Sequence, residues 1–127
     1  MSEEARTLVH DLVAAISSHD AEKIASLFTE DCFYEDVALA GVMRGREALK
    51  AGYNEIFAGI PDFKLELESL FIAGNWVGSQ WVMTGTPTTG KYFSTRGASI
   101  SELRGGKVKR NTDYYDPALL LQRPDDR

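Results

Sequence analysis

The chain of 127 residues holds one cysteine, two histidines and four prolines. A lone Cys32 cannot close an internal disulfide, and no basic-then-apolar leader opens the sequence, so the expected compartment is the cytoplasm. His10 and His19 stand well apart from each other and from Cys32, which is no metal-ligand spacing, and no metal is expected. Neither GxxxxGK[ST] nor GxGxxG occurs, so nothing cradles a nucleotide phosphate and no cofactor is expected. Basic residues are outnumbered, 14 against 19, for a net charge of -5, which argues against a nucleic-acid partner. No apolar run approaches the ~20 residues that cross a bilayer, and no membrane partner is expected.

What remains is an ordinary globular composition, 43% hydrophobic and 26% charged, too apolar for disorder. The length suits one domain, expected over residues 1–121, with a polar, frayed tail at 122–127.

Leu8, Leu12 and Ile16 recur four apart beside Val9 and Val13, which predicts a first helix capped by Ser2 and broken at Ser17-Ser18-His19. Asp20 caps a second, short helix, Ala21 to Phe28. Thr29-Glu30-Asp31 reads as a turn. From Cys32 to Val37 the chain alternates as a strand does, with Cys32, Tyr34 and Asp36 on one face. Gly41 to Gly45 reads as loop, and Arg46 to about Phe57 as a third helix with Leu49, Tyr53, Ile56 and Phe57 on one side. Gly59 and Pro61 end it. The rest is β-structure between turn signals. Phe63, Leu65 and Leu67 alternate with charges, Gly74-Asn75 turns, Trp76 to Thr86 and Tyr92 to Arg104 are long strands, Gly105-Gly106 is a tight turn, and Lys107 to Tyr115 is the last strand. The fold class is therefore α+β, with helices segregated on one face of a sheet. If the sheet curves strongly around its helices, the result is a cone with an apolar pocket.

Asp113 draws the eye first. An aspartate in mid-strand among apolar neighbours is costly to bury without partners, and Asn111 shares its face. If Asp36 lines the same cavity, the two carboxylates cannot easily both ionise, and one pKa must rise. Tyr34 can donate a hydrogen bond beside them, and Gln80 can reach a substrate. A two-residue Gly105-Gly106 turn pairs Ala98 with Asp113, whereas a three-residue loop with a bulge brings Ser99 there. Both remain open. Trp76, Trp81, Tyr92 and Phe93 read as core or dimer-face residues, and His10 as a surface residue.

Four strings in this order, LFTEDCFYED at 27–36, the Gly41-to-Gly45 loop opening a helix, WVMTGT at 81–86 and GGKVKRNTDYYD at 105–116, resemble the nuclear transport factor 2-like superfamily. The likeness is greatest to its SnoaL-like polyketide cyclases, relatives of ketosteroid isomerases and limonene epoxide hydrolases. It implies a cone-shaped curved antiparallel sheet packed against three helices, and a homodimer through the sheet's outer face. In the cyclases an aspartate after a Gly-Lys-Ile turn serves as acid and base for an aldol closure, and Gly106-Lys107-Val108 followed by Asp113 matches that spacing. The cyclase's histidine on the preceding strand corresponds here to Ser99. The isomerases' general base corresponds to Asp36, while their oxyanion donors fall near Leu12 and near Ala98 or Ser99. The epoxide hydrolases' Tyr-x-Asn matches Tyr34-Glu35-Asp36 with aspartate for asparagine. Their Arg-x-Asp falls on Gln80-Trp81-Val82, without either charge, which counts against epoxide opening.

The function expected from the whole is cofactor-free acid–base chemistry on a small, largely apolar carbonyl compound. Asp113 and Asp36 would be catalytic, and Tyr34, Gln80, Ser99 and Asn111 would hold the substrate. An epoxide hydrolase and a non-catalytic binding or dimerising module are the alternatives.

Overall fold

Helix and strand order follow the apolar periodicity closely. The structure, a computed structural model, describes residues 2–122; the proposed tail beyond Gln122 and the capping side chain of Ser2 lie outside the described residues. Helix α1 spans Ser2–Ser17, α2 Ala21–Ser26 and α3 Gly45–Gly59; the strands are β1 Phe28–Asp36, β2 Gly41–Arg44, β3 Lys64–Ala73, β4 Trp76–Gly85, β5 Phe93–Arg104 and β6 Lys107–Tyr115. A 3₁₀ turn, Pro117–Leu119, follows β6. No helix among the described residues is long and apolar enough to cross a membrane.

The six strands form one curved, open sheet in the order β2-β1-β6-β5-β4-β3. All neighbours are antiparallel except β1 and β6, which run parallel. The helices cover the inner face. Leu8, Ala15 and Ile16 of α1, Ile24 of α2 and Leu49, Tyr53 and Phe57 of α3 are buried against Phe28, Cys32, Trp81, Met83, Phe93 and Val108. The α1–α2 corner is held by His19, which adopts a left-handed backbone at φ 59°. Its Nε2 donates to the Phe63 carbonyl at 2.8 Å, and its ring stacks on Phe57 at 4.2 Å.

Three stretches take a different element from the one the sequence suggests, and other ends move by a residue or two. Helix α2 stops at Ser26, capped as expected by Asp20 accepting from the Lys23 amide at 3.0 Å. Phe28 opens β1 instead, because Phe28 pairs with Val108 of β6. The Thr29-Glu30-Asp31 turn is a bulged stretch within β1, where pairing with β6 lapses between Phe28 and Phe33. The Gly41–Gly45 loop is mostly strand: β2 pairs with β1 from Phe33–Arg44 to Asp36–Gly41.

The most consequential register lies between β5 and β6. Gly105 and Gly106 form a two-residue turn with both φ positive, 59° and 78°, and Arg104 pairs with Lys107 across it. Leu103 pairs with Val108, but Glu102 pairs with Arg110, so Lys109 is the extra residue of a bulge. The shift reverses the inside-outside parity of β6. Beyond it Ser101 faces Asn111 and Ser99 faces Asp113. The tight turn and the bulge both exist, and together they select Ser99 over Ala98.

Candidate functional site

Between the sheet and α1 and α3 lies a cavity of about 470 Å³, within the range of small-molecule sites. Its walls are mostly aliphatic and aromatic, including Leu12, Ile16, Ile56, Phe63, Leu65 and Met83. Leu39, Val42 and Glu55 on its rim are exposed and mark its open side. Its charged lining residues are Asp36, Glu55 and Asp113, with no lysine, arginine or histidine among them.

Asp113 sits on the inner face of β6, 9% exposed. Three donors converge on its carboxylate. Ser99 Oγ donates to Oδ1 at 2.5 Å and Asn111 Nδ2 donates to the same oxygen at 2.7 Å. The Tyr34 hydroxyl donates to Oδ2. These donors are themselves oriented. The Trp81 indole N–H, which can only donate, gives to Ser99 Oγ at 2.9 Å and leaves the serine's own proton for Asp113. Ser101 Oγ donates to Asn111 Oδ1 at 2.7 Å, which aims the amide nitrogen at Asp113. Tyr53 from α3 meets the Tyr34 hydroxyl at 2.8 Å. Among the described residues no buried side-chain polar atom lacks a partner.

A carboxylate has about four acceptor sites. Both on Oδ1 are taken and one on Oδ2 is taken, so the free lone pair belongs to Oδ2. That is the oxygen able to receive a proton from a molecule in the cavity.

Burial pushes the Asp113 pKa up, against the pull of hydrogen bonds from Ser99, Tyr34 and Asn111; the charge of Asp36 pushes it further up. Burial and the neighbouring Asp113 charge hold the Tyr34 and Tyr53 phenols well above their ordinary range, so both remain protonated donors at neutral pH. Burial also raises Tyr115. Its hydroxyl donates to Asp36 Oδ2 at 2.7 Å, while Asp36 Oδ1 accepts from the Leu39 amide at 3.0 Å.

Asp36 and Asp113 are register partners across the parallel pair and both line the cavity. Tyr34, Ser99 and Asn111 gather with them. Gln80 does not. Strand β4 turns Ser79, Trp81 and Met83 inward, which leaves Gln80 exposed on the outer face, where it accepts from Ser69 Oγ at 2.6 Å. A pocket role for Gln80 is corrected on that ground. Cys32 is buried outside the cavity lining, its thiol pKa raised by burial. Among the described residues no group of three or more His, Cys, Asp or Glu is placed to hold a metal.

Tyr53, Trp81, Ser101 and Tyr115 complete the polar network, and the sequence did not single them out for it. Tyr53 left one clue: a phenol on the apolar side of a helix needs a partner for its hydroxyl.

A model of the SnoaL-like domain matches residues 9–111. The protein named cyclase aurE from Calcarisporium arbuscula is 27% identical over an aligned stretch of 108 residues that covers 81% of this chain and 79% of that one. Among solved structures, a hypothetical protein of ketosteroid isomerase-like fold from Catenulispora acidiphila, in complex with trimethylamine, superposes with a TM-score of 0.86 at 24% identity over 90% of this chain and 88% of that one. IdmH from Streptomyces antibioticus, a candidate polyketide cyclase, superposes with a TM-score of 0.79 at 22% identity over 91% of this chain and 94% of its own.

Proposed function

Because the chain belongs to the SnoaL-like domain family, we propose that it is a cofactor-free acid–base enzyme that moves a proton on a small, largely apolar carbonyl compound, in the manner of a cyclase or isomerase. One observation carries the reading: a buried carboxylate, Asp113, that lines an apolar cavity and keeps one acceptor site without a donor. In this reading Asp113 Oδ2 abstracts the proton α to the carbonyl. Desolvation has already raised its basicity, and three oriented donors keep the charged form accessible. As Oδ2 takes the proton, the electron pair of the broken C–H bond passes to the substrate oxygen as an enolate; the Tyr34 hydroxyl, held by Tyr53, is then released from the neutralised carboxyl to donate to that oxygen, and Oδ2 later returns the proton to carbon. Asp36, held by Tyr115 and the Leu39 amide, is the second carboxyl of the site. The charged residues of the lining are all acidic and repel a free carboxylate or phosphate, so the substrate is not anionic at the end that enters.

Enolisation is measured directly by NMR, as deuterium exchange at the α-carbon of 2-tetralone, an uncharged bicyclic ketone. Wild type should accelerate exchange over buffer, and Asp113→Asn should abolish the acceleration. Equal rates in the two proteins would sink the enzymatic reading and leave a binding module.

The epoxide-hydrolase alternative finds no support. Gln80 is exposed on the outer face, and Val82 is outside the cavity lining. A homodimer through the outer sheet face stays part of the proposal. Exposed Phe71, Ile100 and Tyr114 on β3, β5 and β6 support it.

A further inference from the structure

Glycine inside a helix costs about 1 kcal/mol relative to alanine, so Gly52 in the middle of α3 asks for a reason. A β-carbon there would stand 2.1 Å from Met43 Sδ and 3.3 Å from Met43 Cε. The missing side chain thus leaves a notch in α3, and the Met43 thioether lies in it. Both residues line the cavity. Met43 pairs with Tyr34 across β1 and β2, so its side chain stands on the same face as the phenol that donates to Asp113.

The helix cannot readily retreat from the methionine, because the flanking Leu49 and Tyr53 are buried at 0% and 4% exposure. Methionine can retreat, having three rotatable bonds and no branch. Its other side is the cavity. We propose that Gly52 and Met43 form the specificity-determining wall of the pocket: Gly52 withdraws Met43 from the cavity, and the space so freed admits the distal part of an elongated apolar ligand. With any side chain at 52 the thioether moves toward Tyr34, and the ligand is limited to a shorter one. The inference rests on the preceding reading only in taking the cavity as the ligand site. It does not depend on Asp113 doing chemistry.

The test uses two uncharged fluorescent probes that differ by one phenyl ring, N-phenyl-1-naphthylamine and 1-naphthylamine. Their dissociation constants are measured without turnover. Gly52→Ala should weaken the phenyl-bearing probe by about tenfold or more, the scale of a lost apolar subsite, and leave the shorter probe within about threefold. In Met43→Ala, adding Gly52→Ala should change neither affinity, because the two substitutions act on one contact. Met43→Phe, which leaves the helix untouched, should reproduce the selective loss if Gly52→Ala fails to fold. Equal weakening of both probes, or an alanine effect at 52 that persists without Met43, overturns the proposal. So does a wild type that binds neither probe. Loss of exchange activity in Asp113→Asn bears only on the acid–base reading, so the two can fail separately.

Discussion

The indole of Trp81 gives its single N–H to the hydroxyl of Ser99 at 2.9 Å, and thereby commits the serine proton to Asp113. A residue that packs as core thus sets the polarity of the site. Space for its ring comes from Gly97, where a β-carbon would stand 2.3 Å from the indole.

Removing donors should therefore move the Asp113 pKa in one direction. Ser99→Ala takes a hydrogen bond from the charged form and should raise the pKa above the wild-type value. Trp81→Phe should raise it less, since it frees the serine rather than deleting it. Asp36→Asn removes a like charge and should lower it. Carboxyl-carbon NMR titration reads all three. An Asp113 pKa unmoved by Ser99→Ala would mean that the hydroxyl does not point where the structure places it.

The same shift has a consequence for stability. Asp113 has a folded pKa raised above that of the unfolded chain, for which ~3.9 is the ordinary value. Between those two pKa values the unfolded state binds fewer protons, so this group makes stability fall as pH rises through that window. Below the unfolded pKa the penalty is absent. Urea denaturation at stepped pH should show the fall in wild type and a flatter profile in Asp113→Asn.

The two tyrosines should separate by role. Tyr34→Phe deletes a direct donor to Oδ2 and should depress 2-tetralone exchange strongly, by roughly the 10²-fold of a lost oriented donor. Tyr53→Phe leaves Tyr34 in place and should cost a smaller factor in exchange, with about 1 kcal/mol of stability for its buried hydrogen bond. If Tyr53→Phe were the more damaging of the two, Tyr34 would not be the residue that serves Asp113.

Gln80 supplies the control. It is exposed on the outer face of β4, so Gln80→Ala should change stability by no more than ~0.5 kcal/mol and leave exchange unaltered. The outer face offers its own test: Phe71→Glu with Ile100→Glu should convert a dimer to a monomer in sedimentation analysis. A wild type that sediments as a monomer removes the homodimer.

Much of this was legible in the chain because it depends on local signals. Strand β6 runs from Lys107 to Tyr115 as expected, since Gly105-Gly106 supplies the two left-handed residues a tight hairpin turn needs. Asp36 is legible from the alternation of Cys32, Tyr34 and Asp36 on one face, and Asp113 because a carboxylate among apolar strand neighbours is costly to bury without partners. Other features depend on partners remote in sequence. Strand β2 has no alternation of its own and is an edge strand because β1 pairs with it. Strand β4 carries apolar residues on both faces, Trp76 and Val82 on one, Val77 and Met83 on the other. Pattern alone does not give its parity, so the expectation that Gln80 holds the substrate fails: the residue is exposed on the outer face. Ser99 needed a bulge at Lys109 that no residue type announces.

That bulge makes the site a matter of counting. Beyond Lys109 every inward position of β6 owes its direction to one unpaired residue. Substitutions at outward positions of β6 such as Arg110 and Thr112 can alter charge or bulk without touching the carboxylate. A gain or loss of one residue that shifts the register beyond it would send Asn111 and Asp113 to the outer face together. The spacing from Gly106 to Asp113 is thus a stricter condition on this site than the identity of most residues between them, and drift in the hairpin is constrained in length before it is constrained in sequence.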